Sequence, residues 1–431
     1  MSPSGPPGPG DEPGDQGDPN PFKGLPFFGD LARLFNQGPM SWDAARQLAV
    51  QIATDGKSEP NVDPMDRMKL EQLTRVADLQ VAAETGLSTS VAGRPLTMAP
   101  VNRSQWVQRS ADAYRPLLEK IAGALTGDAA ARMRDAEPDP ADQAEGDPMA
   151  AFFGQIRRLI GPVMVGMTSG SMIGHLARRS LGQYDLPVPR PPSDELLLVA
   201  PNVHEFADEW SLPIDDLLLW VAVHEIAHHA VLGVPHVRQR LDDLMRRYAA
   251  AFQPDPLALQ RRLDELDVDP MSPSGLKDIQ DAFGDPDVLL GALQSDEQAA
   301  LLPPLHALVA VVEGYVDEVM DRVGSRLISS YPMLTEALRR RRVTADPSDR
   351  FVERLLGLEL TQAAYERGSR FVDGVIERED WGALERLWTS ERELPTPAEV
   401  DAPGLWLARV DLPASPDAPG SPDSPESPGP G

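Results

Sequence analysis

The chain has 431 residues, 41% of them hydrophobic, enough for a sizeable core divided over two domains or subdomains. It contains no cysteine. That excludes disulfides, thiolate metal sites and cysteine nucleophiles, so any metal must be held by histidine and carboxylate. A formal net charge of −27 argues against nucleic acid or an anionic membrane surface as partner.

Residues 1–20 are Pro-, Gly- and Asp-rich, with almost no large apolar side chains. They cannot offset the entropy of ordering and read as a disordered tail, without the apolar stretch of a secretory signal. A helical region follows over 21–126, with helices expected at Trp42–Thr54, Asp63–Thr85 and Ser104–Leu125. The acidic, Ala- and Pro-rich stretch 127–150 reads as a linker or long loop. Residues 151–412 form a second region. It opens with helical patterns at Phe152–Leu159 and Ile173–Leu181. Gly166, Gly170 and Gly174 recur every fourth residue up to the start of the second, a smooth stripe that reads as close helix packing or simply a flexible loop. The segment is too short and polar to span a membrane, and no run of 18 apolar residues occurs elsewhere.

Alternating β-pattern is scarce. The clearest strand is Leu196–Val199, an apolar run ended by Ala200-Pro201-Asn202. Helices are then expected at Leu212–Leu232, His236–Phe252, Pro256–Leu266, Pro286–Gln294, Glu297–Val323, Met333–Arg341, Phe351–Leu358, Thr361–Glu379 and Trp381–Trp388. The run Arg339–Arg342 reads as a solvated helix end. Residues 413–431 form a second low-complexity tail. The fold class is therefore mainly α with a small β element.

One helix carries chemistry. His224-Glu225-Ile226-Ala227-His228 is a His-Glu-x-x-His pentapeptide within an apolar stretch. Ser211 reads as its N-cap, Asp215 and Asp216 favour the positive end of the dipole, and Gly233 with Pro235 marks its end. Residues i and i+4 of a helix lie about 40° apart, so both imidazoles face one zinc ion. Glu225 is turned about 100° from His224, placed to reach an activated water without ligating the metal. Two core histidines fit the same pattern, but each buried ring would then need its own partner.

Zinc needs a third protein ligand and an open position. His236 follows His228 by eight residues, whereas three-histidine zinc proteases use six, with a glycine midway. Glu313 is the better candidate. It lies in Val311-Val312-Glu313-Gly314-Tyr315-Val316-Asp317, a Glu-x-x-x-Asp pair on an apolar helix. Thermolysin-like zinc proteases use this arrangement, the Glu as ligand and the Asp orienting a ligand histidine. A salt-bridged carboxylate is the other reading of Glu313. His229 faces away from the metal side and reads as a packing or supporting residue. His306, two turns before Glu313, is a candidate supporting or substrate contact, and His204 and His175 have no usable spacing.

Several blocks resemble the bacterial zincin-like metallopeptidases, a family whose relatives include proteins named for association with deazaflavin coenzyme biosynthesis. They are Leu181–Pro187, Leu198–Asn202, Val223–His229, Glu313-Gly314-Tyr315 with Val319–Asp321, Arg350–Leu358, and Leu394-Pro395-Thr396 leading to Pro403 and Trp406. Together they span roughly 22–412. The resemblance implies a metallohydrolase fold. The chain departs from the pattern at Tyr315, where histidine is expected after Glu-Gly; Tyr315 is a candidate oxyanion or substrate contact by position alone.

The sequence thus predicts a cytoplasmic zinc metallopeptidase, acting on a peptide or protein, with His224, His228 and Glu313 as ligands and Glu225 as base. A protein-interaction module with a structural or vestigial zinc site is the rival; the intact Glu225 counts against it. The strand Leu196–Val199 is expected to offer an edge to an extended substrate. Deleting residues 1–20 and 414–431 should leave the melting temperature and zinc content unchanged, because neither tail has apolar side chains to bury.

Overall fold

A computed structural model describes residues 42–135, 166, 169–252, 295–344 and 347–412. Both expected tails, the helices expected at Phe152–Leu159, Pro256–Leu266 and Pro286–Gln294, and most of 127–150 lie outside the described residues. The rest is mainly helical.

The first helices are α1 (Trp42–Thr54) and α2 (Pro64–Thr85). Asp63 caps α2 by accepting the Met65 N–H, and Gly86 ends it in the left-handed region, where glycine is free of Cβ strain. Strand β1 (Thr97–Val101) leads into α3 (Arg103–Asp135). The helix runs past 127 because the Ala129–Ala131 stretch favours helix. The next helix, α4, spans 169–179. Its glycine stripe packs on α1: a Cβ on Gly170 would lie 2.5 Å from the Ala45 carbonyl oxygen, and one on Gly174 2.8 Å from that of Ala49.

Strand β2 (Glu195–Val199) pairs in parallel with β1, Thr97 opposite Glu195 and Val101 opposite Val199. Its place agrees with the expected strand. Strand β1 is not evident in the sequence because Pro100 interrupts it; the backbone of a two-stranded sheet tolerates proline at an edge. The loop before β1 is tied to β2 by Asp194, whose carboxylate accepts the N–H groups of Val91, Ala92 and Arg94. The expected free edge of β2 is closed at its far end, where the Val199 N–H donates to Leu181 at 2.8 Å.

Helix α5 (Ala200–Trp210) ends at Ser211, which is left-handed at φ 53°. Ser211 therefore closes α5 and does not cap the motif helix α6 (Ile214–Gly233), which starts after Pro213. Every residue of α6 from Leu217 to Leu232 is buried, as befits a helix that is apolar on all sides. Its acidic first turn is anchored at both carboxylates: Asp215 pairs with Lys69 at 2.7 Å, and Asp216 accepts from Ser329 and Ser330. At Val234 the chain turns by 87° into α7 (Pro235–Ala250).

The second core helix is α8 (Asp296–Leu327), opened by a capping box of Ser295 and Gln298. It is long and apolar enough to cross a membrane, but its most apolar stretch is 67% buried within the fold. Helices α9 (Tyr331–Val343), α10 (Pro347–Leu355) and α11 (Gln362–Ile376) follow. A 3-10 helix at Trp381–Trp388 precedes α12 (Pro397–Asp401) and α13 (Pro403–Val410).

Helices α8 and α11 cross at two glycines. A Cβ on Gly314 would lie 2.3 Å from the Gly368 carbonyl carbon, and one on Gly368 2.0 Å from the Ala310 carbonyl oxygen. Both obstacles are backbone and cannot swing aside. Gly314 adjoins Glu313, so this crossing sets how deeply that carboxylate lies. Gly368→Ala should lower unfolding stability by about 2 kcal/mol, the usual cost of overpacking, measured by chemical denaturation.

Candidate active site

The pentapeptide of α6 and Glu313 of α8 meet in the core. His228 is fully buried, Glu225 is 1% exposed and Glu313 is 4% exposed. His228 Nδ1 faces the His224 carbonyl oxygen at 3.1 Å. A carbonyl only accepts, so this contact puts the ring proton on Nδ1 and leaves a lone pair on Nε2. That Nε2 lies 3.2 Å from Glu313 Oε1. A neutral ring therefore turns an acceptor toward a carboxylate, a repulsive contact unless a cation lies between them.

Without metal, a proton fills that need. Burial opposes charge on His228, but Glu313, through its charge and its hydrogen bond, offsets burial and raises the pKa above the ordinary value. Zinc fits equally. Ligand atoms at about 2.0–2.1 Å from a tetrahedral ion stand roughly 3.3 Å apart. His224 stands beside the pair, its ring centroid 4.4 Å from that of His228 at an interplanar angle of 53°. Among the described residues no three histidine or carboxylate side chains stand close enough together to hold a metal ion as they are placed here. Burial, with the neighbouring His228, lowers the His224 pKa to about 3, so its ring is neutral and suited to ligation. Trp220, one turn earlier, stacks on it at 5.0 Å.

Glu225 does not point into bulk solvent. Its Oε2 accepts the N–H groups of Gln183 at 2.8 Å and Tyr184 at 2.9 Å, and its Oε1 lies 3.4 Å from His224 Nδ1. Burial, reinforced by Asp185, lifts its pKa to about 8 against the lowering effect of those N–H bonds. A small cavity of about 80 Å³ opens beside it, walled by Tyr184, Trp220, His224, Glu313, Arg342 and Tyr365 among others. Trp220, Leu338, Arg342 and Tyr365 also wall a neighbouring chamber of about 550 Å³.

The remaining candidates lie elsewhere. Asp317 gives both oxygens to Arg342 at 3.2 Å, so the acceptor orienting His228 is a backbone carbonyl and not this carboxylate. Tyr315 is 1% exposed and packed between Trp381 and Trp388. It follows Glu313 by two residues, about 200° around the helix, and so faces the opposite side. His306 pairs with Glu359 at 3.3 Å, two turns from Glu313. His229 meets the Tyr184 hydroxyl at 3.0 Å through Nδ1, supporting a residue of the cavity wall. His236 sits beyond the 87° bend, its Nε2 3.1 Å from the Leu387 carbonyl oxygen.

Four contributors escaped the sequence reading: Gln183 and Tyr184 by their backbone, Arg342 and Tyr365 by their side chains. The run at Arg339–Arg342 is solvated only in its first half, where Arg339 and Arg340 are exposed. Arg342 turns inward, its guanidinium 4.3 Å from the centre of the Tyr365 ring.

A family model for zincin-like metallopeptidases matches residues 40–407. The chain belongs to this family. In fold the zincin-like chain is similar to a candidate hydrolase with a novel fold from Chloroflexus aurantiacus. The TM-score is 0.58 at 21% identity, over 87% of this chain and 100% of the other. At that identity the likeness is one of fold. No curated protein matches the sequence. Family membership makes the chain a metallohydrolase of the zinc class at the coarse level.

The third ligand separates two geometries. Glu313→Ala should strip zinc from the zinc-loaded protein on dialysis against a mild chelator, whereas His236→Ala should retain it. Metal loss in His236→Ala with retention in Glu313→Ala would make the site a three-histidine one.

Proposed function

We propose that the protein is a zinc-dependent peptidase with His224, His228 and Glu313 as the metal ligands. The observation that carries this reading is the contact of His228 Nε2 with Glu313 Oε1 at 3.2 Å, a pair that takes either a proton or a metal cation between its members. Zinc held there supplies a Lewis acid that polarises a carbonyl and lowers the pKa of water to about 7.

The chain's own groups do the rest. Glu225 takes a proton from the attacking water through Oε1 and returns it to the leaving amine. Tyr365 stays protonated, since burial and then Glu313 push its pKa well above the ordinary value. Its hydroxyl and the Arg342 guanidinium are two of the donors lining the cavity and serve an oxygen that gains negative charge. Asp317 holds Arg342 in place through two hydrogen bonds. The neighbouring chamber has room for side chains flanking the scissile bond. The reading includes a peptide or protein substrate in the cytoplasm, with neither nucleic acid nor membrane as partner.

In a non-catalytic interaction module Glu225 would have a structural task alone, accepting the Gln183 and Tyr184 N–H groups. Glu225→Gln decides between them. It should abolish cleavage of casein or a peptide library while zinc content stays at the wild-type level, because it removes a base and no ligand. Cleavage within tenfold of wild type would remove Glu225 from the role.

A further inference from the structure

The Gly182–Tyr184 turn belongs to neither the motif nor the metal ligands, yet it touches the centre of the chemistry. It holds Glu225 from two sides. The Gln183 and Tyr184 N–H groups occupy Oε2. The Gly182 α-carbon faces the carboxyl so closely that a Cβ would lie 2.3 Å from Glu225 Cδ and 2.4 Å from Oε1. Gly182 is not among the residues of positive φ, so its backbone is open to any residue. Glycine is needed there for space alone.

The turn cannot retreat to make that space. The Trp106 indole donates to the Gly182 carbonyl at 2.8 Å. Asp185 accepts the N–H groups of Leu181 at 2.8 Å and Gly182 at 3.0 Å. Arg190 donates to the Gln183 carbonyl at 2.9 Å, and Val199 in β2 donates to Leu181. Four residues, Trp106, Asp185, Arg190 and Val199, thus fix the backbone against which the carboxylate rests.

We propose that this turn is the positioning device of the general base and that Gly182 is its positioning residue. The two N–H bonds saturate Oε2, which leaves Oε1 as the oxygen that takes the proton. The missing Cβ sets how close Oε1 stands to the histidines. This inference rests on the peptidase reading for its catalytic consequence, but the contact itself can be measured without any substrate.

The experiment is a double-mutant cycle of Gly182→Ala and Glu225→Asp on the full chain. Asp withdraws the carboxyl by one methylene and removes the two nearest obstacles, Cδ and Oε1, leaving only the atom at the Cγ position, 2.8 Å from the added Cβ. Gly182→Ala should lower the melting temperature by a few degrees in the wild-type background and by less than half as much beside Glu225→Asp. Equal drops in both backgrounds would overturn the proposal. In hydrolysis Gly182→Ala should lower kcat by about 100-fold, the scale of a misplacement near 1 Å, with KM and zinc content close to wild type. A wild-type kcat in Gly182→Ala would likewise overturn it. Should the wild-type protein cleave no peptide, the peptidase reading falls, while the melting-temperature coupling still decides whether the turn holds the carboxylate.

Discussion

A buried histidine and carboxylate facing each other across 3.2 Å set the terms for this molecule. His228 and Glu313 sit on α6 and α8, helices buried on most sides, and among the described residues the opening beside Glu313 is the small cavity it helps to wall. A buried charge that loses its partner is costly, so the pair must share a proton or, on the proposed reading, a metal cation. The architecture serves that demand. The acidic first turn of α6 is anchored through Asp215 and Asp216, and the glycines of α8 and α11 hold Glu313 at depth. The bend at Val234 sends the next histidine away from the site.

The polar groups around the centre are arranged by role. Glu225 is kept basic by burial and held still by backbone donors. Arg342 is spoken for by Asp317 and covered by Tyr365, so its charge is aimed and not free to wander. The result is a small, closed space with a larger chamber beside it, the two joined through the same aromatic and arginine wall.

Much of this was written in local spacing. The i,i+4 pairing of His224 and His228, the strand before them and the apolar setting of Glu313 depend on helix geometry and near neighbours, which a sequence displays. The partner of Asp317 was not legible, because Arg342 lies on another helix and the run around it looks like a solvated end. Tyr315 was readable by position alone, and helix geometry turns it to the opposite side from Glu313, between Trp381 and Trp388. Strand β1 was hidden by Pro100, and the turn that holds Glu225 acts through N–H groups that every residue but proline possesses. Backbone donors leave no signature in residue type.

Trp220 gives the site an accessory property. Its indole lies parallel to the His224 ring, 5.0 Å away at an interplanar angle of 17°, and is nearly sealed from solvent. An indole in such a stack senses the electronic state of the imidazole beneath it. If zinc binds as proposed, the Trp220 share of the emission from the chain's seven tryptophans would report its occupancy, a label-free gauge isolated by comparison with Trp220→Phe.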